Sequence, residues 1–406
     1  MMDRSEKSAW AARFRDELVG NILPFWMKHT VDLVNGGFHG AVDCDLGVDR
    51  QAPRAAVINA RILWTFSAAA RAYGYPAYRE MADWAYSYIV QKFWDHPYDG
   101  LYWMLDYYGN PISDRKQTYA QAFGAYAMAE YFRLTGKKES FVLARQFFSL
   151  IEEKSYDPVD GGYLEACNRE WGALTDMRLS EKDLNCPKSM NTHLHIVEAS
   201  TNLLRARPSA ELAATHKALI ETIMDHIVDS GTGHFRMFFD MQWNPLSDHV
   251  SYGHDIEGSW LIYEAAEVLG DSALIERARG VALKMAQAVY DEALDQDGSL
   301  FYEADSKGRL IDPNKHWWAQ AEAVVGFYNA YQLSGEEHFL RQAYRIWEYI
   351  EEKVVDHVHG EWHAKLKPNG VPFTAREDGD ACLVGPWKCP YHNTRVCLEM
   401  MRRLGE

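Results

Sequence analysis

Two helical patterns alternate along the chain. Segments 59–73, 119–134, 190–204, 256–269 and 317–333 are rich in small residues and apolar nearly all round, whereas 77–93, 139–154, 210–228, 274–294 and 338–354 carry a charged face. A helix without a polar face must be covered on every side, and an amphipathic helix can cover it while facing water. The pattern therefore predicts inner helices alternating with outer ones. Within each pair the break is short and holds helix-stop residues: Gly74-Tyr75-Pro76, Gly136-Lys137, Pro208-Ser209, Gly270-Asp271-Ser272 and Gly335-Glu336. A last inner helix at 392–404 has no outer partner after it, and a first helix at 9–28 has no inner partner before it. Pairing these two closes the series into a ring.

The links between pairs are longer, and each holds glycine beside an aromatic residue. They are Gly36-Gly37-Phe38, Asp99-Gly100-Leu101-Tyr102, Asp160-Gly161-Gly162-Tyr163, Gly233-His234-Phe235, Asp297-Gly298-Ser299-Leu300-Phe301 and Gly360-Glu361-Trp362. Counted at Gly37, Gly100, Gly162, Gly233, Gly298 and Gly360, the steps are 63, 62, 71, 65 and 62 residues. A period this regular marks a repeat, with room in each unit for two helices and a short hairpin. Six pairs in a ring make an all-α (α/α)6 barrel, read as one domain over residues 1–406, with hairpins and long loops gathered at one end.

Composition narrows the partners. No Pro/Ser-rich linker or charge block interrupts the period. The 14 Trp, 23 Tyr and 17 Phe supply bulk for a large helical core, and an indole face also suits the C–H face of a sugar. A formal charge of −16 argues against nucleic acid and anionic membranes. The start, Met1-Met2-Asp3-Arg4-Ser5-Glu6-Lys7, is charged with no apolar run behind it, and no stretch approaches the ~18 apolar residues of a membrane helix. The expectation is a cytoplasmic protein, taken as a monomer. Six cysteines without a Cys-x-x-Cys pair are read as reduced thiols.

Polar residues recur where the inner helices begin: Asn59 and Arg61; Tyr119 and Gln121; Asn191, His193 and His195; His254 and Glu257; Trp317, Trp318, Gln320 and Glu322; His392 and Asn393. Parallel inner helices bring all six starts to the same end of the barrel, and burying unpaired polar groups there costs several kcal/mol each. Asn191 and His195, four apart, share a helix face. His193 and His195, two apart, cannot both point inward, which removes a His-x-His metal site. His254 and Glu257, three apart, are expected to pair, holding the imidazole near neutral pKa. Arg61 within an apolar segment calls for an acceptor or a ligand. Histidines without a metal suit proton transfer at a carbon beside a carbonyl, where imidazole can both take and return a proton. Bases on both faces would invert the carbon; one base shuttling between carbons would isomerise it.

The runs Lys188-Ser189-Met190-Asn191-Thr192-His193-Leu194-His195, Ser251-Tyr252-Gly253-His254-Asp255-Ile256-Glu257, His316-Trp317-Trp318-Ala319-Gln320-Ala321-Glu322 and Trp387-Lys388-Cys389-Pro390-Tyr391-His392-Asn393 resemble those of the cellobiose 2-epimerases. So do Asn59-Ala60-Arg61-Ile62-Leu63-Trp64 and Gly326-Phe327-Tyr328-Asn329-Ala330-Tyr331-Gln332. These enzymes belong to the N-acylglucosamine 2-epimerase superfamily of (α/α)6 barrels. The resemblance spans essentially the whole chain. It implies C2 epimerisation of the reducing-end glucose in β-1,4-linked disaccharides such as cellobiose and lactose, with no metal or other cofactor. It implies His254 and His392 as the acid/base pair, His195 assisting ring opening, Glu257 orienting or relaying, and Arg61 stabilising an enediolate oxygen. Tyr119, Asp183 and Asn191 would bind hydroxyls, and Trp318 and Trp387 would stack on sugar rings. Alternatives on the same barrel are a mannose–fructose type isomerase and an N-acylglucosamine 2-epimerase; outside enzymes, a sugar-binding barrel.

Overall fold

The computed structural model describes residues 2–405. Its first rod runs from α1 (Arg4–Glu17) through a π-helical turn (Leu18–Ile22) into α2 (Leu23–His29). Five pairs follow: α3 (Ala56–Tyr73) with α4 (Pro76–Tyr88), α5 (Thr118–Thr135) with α6 (Lys138–Leu150), α7 (Met190–Ala206) with α8 (Ala210–Thr222), α9 (Tyr252–Leu269) with α10 (Ser272–Glu292), and α11 (Trp317–Ser334) with α12 (Glu337–Tyr349). The last helix is α13 (Tyr391–Leu404). Helices α4, α6, α8 and α12 each end in a π-helical turn.

Each inner helix packs on the next, α3 on α5, α5 on α7, α7 on α9, α9 on α11 and α11 on α13, and α13 returns to α3. The unpaired first helix, α1, packs on α13. This is the (α/α)6 barrel expected from the period. The two ends of the described chain meet: Met2, Arg4, Lys7 and Ser8 line one cleft with Leu404 and Gly405. Inner helices α3 and α9 begin at Ala56 and Tyr252, a few residues before the expected starts, which draws His254 into a first helical turn. No described helix is long and apolar enough to cross a membrane.

At one end, glycines in the left-handed conformation (Gly74, Gly136, Gly270, Gly335 and Gly405) stop five of the inner helices. At the other, six small antiparallel sheets encircle the mouth. The strand ahead of each inner helix pairs with the next repeat's hairpin, as Lys116 with Cys167 and Lys188 with Phe239; Val42 and Val384 bridge last repeat to first. Buried cations tie the mouth further. Lys116 reaches Asp95 at 2.8 Å, Lys188 reaches Asp157 at 2.7 Å and Lys315 reaches Asp295 at 2.8 Å, while Arg54 holds Asp32 and Lys388 holds Glu361.

Candidate active site

The polar residues at the inner-helix starts divide by helix position. The fourth residue turns outward and fastens the preceding glycine turn. Backbone N–H groups donate to it: Leu101 to Gln121 at 2.8 Å, Tyr163 to His193 Nε2 at 2.9 Å, Phe235 to Asp255 at 2.7 Å and Leu300 to Gln320 at 2.8 Å. Gly162, with φ +79°, shows why glycine marks these turns: a Cβ there would lie 2.8 Å from His193 Nε2. At the last glycine turn the Asn393 side-chain amide instead donates to the Glu361 carboxylate, at 2.7 Å. His193 therefore faces away from His195, as the spacing requires.

The sixth residue faces the barrel axis: Arg61, Phe123, His195, Glu257 and Glu322, joined by Arg395 from α13. Arg395 is the hub. Its guanidinium bonds Glu198, Glu257, Glu322 (2.6 Å) and the Tyr391 hydroxyl (2.6 Å). Glu198 in turn holds His195 Nδ1 at 2.8 Å, and Glu322 holds His392 Nδ1 at 2.7 Å. Burial works to raise the Glu198 carboxyl, but Arg395 and His195 bring it down to about 2. Burial, with Glu257 close by, raises Glu322 well above the carboxylate range against the pull of Arg395.

His254 departs from the expected pairing. Its Nδ1 lies 2.8 Å from Ser251 Oγ, and Glu257 turns instead to Arg395. A full cation competes better for a buried carboxylate than a neutral imidazole three residues away. Burial, aided by the charges of His195, His249 and Arg61, lowers His254 to about 3; burial also lowers His392 well below the usual imidazole range. Both rings are thus held neutral. No described residue hydrogen-bonds Nε2 of His195, His254 or His392.

Arg61 is buried, and none of the described carboxylates pairs with it. Nη2 donates to the Tyr119 hydroxyl at 2.8 Å, the Phe123 ring lies 4.3 Å from the guanidinium carbon, and Nε has no partner. Asn191 carries a buried Oδ1 that is also unpartnered. The Trp318 ring contacts both His254 (4.7 Å between centroids) and His392 (5.5 Å). Trp387, 39% exposed, lies farther out, 6.1 Å from the Trp103 and Tyr119 rings. Asp183, on the loop ahead of α7, accepts from Ser180 N and Oγ at 2.8 Å and feels the charge of Glu303, the partner of His249. The structure thus gathers His195, His392, Glu257, Arg61 and Tyr119 in contact through shared partners, sets His254 against Trp318, and leaves Trp387 and Asp183 at the rim.

Ligand atoms of Glu257, Glu322 and His392 lie within 4.8 Å of one another, as a cation site would need. The Arg395 guanidinium already bonds both carboxylates, so their charge is answered from within the protein. Cys389 Sγ is 4.0 Å from Arg61 Nη1, and burial raises its thiol pKa, which does not suit a nucleophile. Sequence reasoning missed Arg395, Glu198 and Ser251. Arg395 had a signal, a cation at the start of the last inner helix, one turn after His392.

Residues 36–383 match the model of the N-acylglucosamine 2-epimerase (GlcNAc 2-epimerase) family. The chain is 44% identical over 385 residues to a cellobiose 2-epimerase of Bacteroides fragilis, covering 95% of this chain and 97% of that protein. It is 40% identical to one of Dictyoglomus turgidum, covering 96% and 97%. The solved cellobiose 2-epimerase of Bacillus thermoamylovorans B4167 superposes with a TM-score of 0.92 at 40% identity, over 98% of this chain and all of that one.

Proposed function

We propose, from the premise that the chain belongs to the N-acylglucosamine 2-epimerase family and is a carbohydrate 2-epimerase, that it inverts C2 of the reducing-end glucose in β-1,4-linked disaccharides. Cellobiose would become glucosyl-mannose and lactose would become epilactose. The observation that carries the reading is the meeting of three imidazoles, each with Nε2 unengaged, and a buried guanidinium that no carboxylate neutralises.

The chemistry follows from these groups. His195, oriented by Glu198, assists opening of the pyranose. One of His254 and His392 enters neutral and removes the C2 proton through Nε2, and the other, entering with a proton on Nε2, gives it to the opposite face, the roles exchanging in the reverse direction. Negative charge gathers on the enediolate oxygens, where Arg61 stabilises it more than the neutral aldehyde before it. Glu257 acts through Arg395, which fixes the two carboxylates that set His195 and His392. Tyr119, Asn191 and Asp183 take sugar hydroxyls; Trp318 and Trp387 stack on the rings. The reading takes residues 1–406 as one catalytic barrel, cytoplasmic and monomeric, needing no metal, nucleic acid or membrane.

Incubation with cellobiose and lactose in D2O, followed by NMR, tests it. The mannose-ended product should carry deuterium at C2. Unlabelled product would point to hydride transfer or carbon–carbon cleavage and would overturn the proton-transfer route.

A further inference from the structure

The three imidazoles are not backed alike. His195 faces the Glu198 carboxylate, which when ionised only accepts hydrogen bonds, so its ring is fixed with Nδ1 protonated and Nε2 bare, while His392 Nδ1 faces the carboxyl of Glu322, itself held by Arg395. His254 faces a hydroxyl. We infer that Ser251 is a positioning residue for His254, holding the imidazole through an Oγ–H that can either donate to Nδ1 or accept from it. His254 can then change tautomer as it passes a proton, and reset, without a fixed charge behind it. This deepens the proposed function and rests on its reading of His254.

The placement of Ser251 supports this. It directly precedes α9 with extended backbone (φ −113°, ψ 99°), where a serine hydroxyl commonly takes a free N–H of the first helical turn. Ser189 does this at the same place before α7, accepting from Thr192 N at 3.2 Å. Ser251 makes no such cap. Its backbone is held by antiparallel pairing with Glu303, its side chain is buried, and its Oγ lies 2.8 Å from His254 Nδ1. A hydroxyl at a capping position that caps nothing, and meets a proposed catalytic imidazole, serves the imidazole.

The test uses Ser251→Ala, Ser251→Thr and Ser189→Ala in the full chain. Cellobiose kinetics, thermal melting and imidazole ¹⁵N spectra are recorded, with the His254 signals identified by their absence in His254→Asn. Ser251→Ala should lower kcat by roughly 10-fold or more, since a misoriented or wrongly tautomeric imidazole is a poor base. KM should stay within about twofold, the melting temperature should hold, and the His254 ¹⁵N signals should move. Threonine, which keeps the hydroxyl and accepts extended backbone, should restore most of kcat. Ser189→Ala should show the converse, a lower melting temperature with kcat kept. Wild-type kcat with unmoved His254 signals in Ser251→Ala would overturn the inference, as would a kcat loss that threonine does not repair. If the wild type fails to turn over cellobiose, the function reading falls, and the ¹⁵N shift still decides whether Ser251 governs His254.

Discussion

The two ends of the barrel differ in the polar groups they leave without partners. At the closed end, where the inner helices finish, arginines pair with inward carboxylates. Glu130 takes Arg71 at 2.8 Å and Arg133 at 2.7 Å, Glu264 takes Arg205 at 2.6 Å, and Glu399 takes Arg402 at 2.6 Å and Arg403 at 3.3 Å. Arginines also suit the negative ends of six helix dipoles. At the mouth, where the positive ends of those dipoles converge, Arg61 Nε and Asn191 Oδ1 lack partners and three imidazoles keep Nε2 bare. Completed pairs close a ring; incomplete ones are free for the substrate of the proposed reaction. The difference locates function by what the protein leaves undone.

The contrast breaks first at Arg395, a mouth cation whose guanidinium pairs with three buried carboxylates. Arg395→Met strands Glu198, Glu257 and Glu322 in the interior and should cost about 3–5 kcal/mol in denaturant unfolding, with activity abolished. A stable, active variant would remove the hub from the mechanism. Next come His254→Asn and His392→Asn. Each should lower kcat by at least roughly 10²-fold while helical circular dichroism stays unchanged, and near-normal turnover would remove that residue from the acid/base pair.

Acid sharpens the comparison further. Burial lowers His193 and His216 to about 4, whereas a free imidazole titrates near 6.5. Below pH ~6.5 the unfolded chain takes up protons that the folded chain refuses. Stability that is intact above that pH is therefore lost as pH falls towards 4, by an amount on the order of 1–2 kcal/mol per imidazole at pH 5. Thermal melts at pH 7 and 5 should differ accordingly, and equal melting temperatures would contradict the burial of these rings. At the closed end, Glu130→Gln should cost about 1–2 kcal/mol of stability and leave kcat within about twofold; a large loss of kcat would show that this end does more than close the ring. The smallest effect belongs to the rim. Trp387→Ala should narrow the preference for cellobiose over glucose by up to about 10-fold, equivalent to about 1.4 kcal/mol, without abolishing chemistry. An unchanged ratio would remove Trp387 as a platform.

What was legible followed from chain periodicity. Gly162 and its five counterparts repeat because each takes the same left-handed backbone, with φ between +66° and +91°, and that period pointed to the pairing of helices and to which ends meet. His195, His392 and Arg61 were legible because polar groups inside apolar helices need a reason. The partners were not. Glu198 and Arg395 are 197 residues apart and His392 and Glu322 are 70 apart, so no local spacing joins them. Local spacing misled at His254, where Glu257 is within reach along the helix but is taken by a guanidinium from another helix. Ser251 carries no signal of its own in the sequence, and only the structure shows that its hydroxyl meets His254.

The meeting of Met2 and Arg4 with Leu404 and Gly405 carries a kinetic consequence. Five of the six inner-helix contacts join neighbours in sequence, but α13 against α3, and α1 against α13, join the extremes of the chain. Closing the largest loop available carries the highest chain-entropy penalty, although that penalty grows only logarithmically with length. Folding should therefore propagate around the repeats and wait on that last seam. Linking Met2 to Gly405 and opening the chain at Gly136-Lys137 would move the seam between α5 and α6 while keeping every contact of the ring. The permuted barrel would then be equal in architecture and different in the order of its assembly.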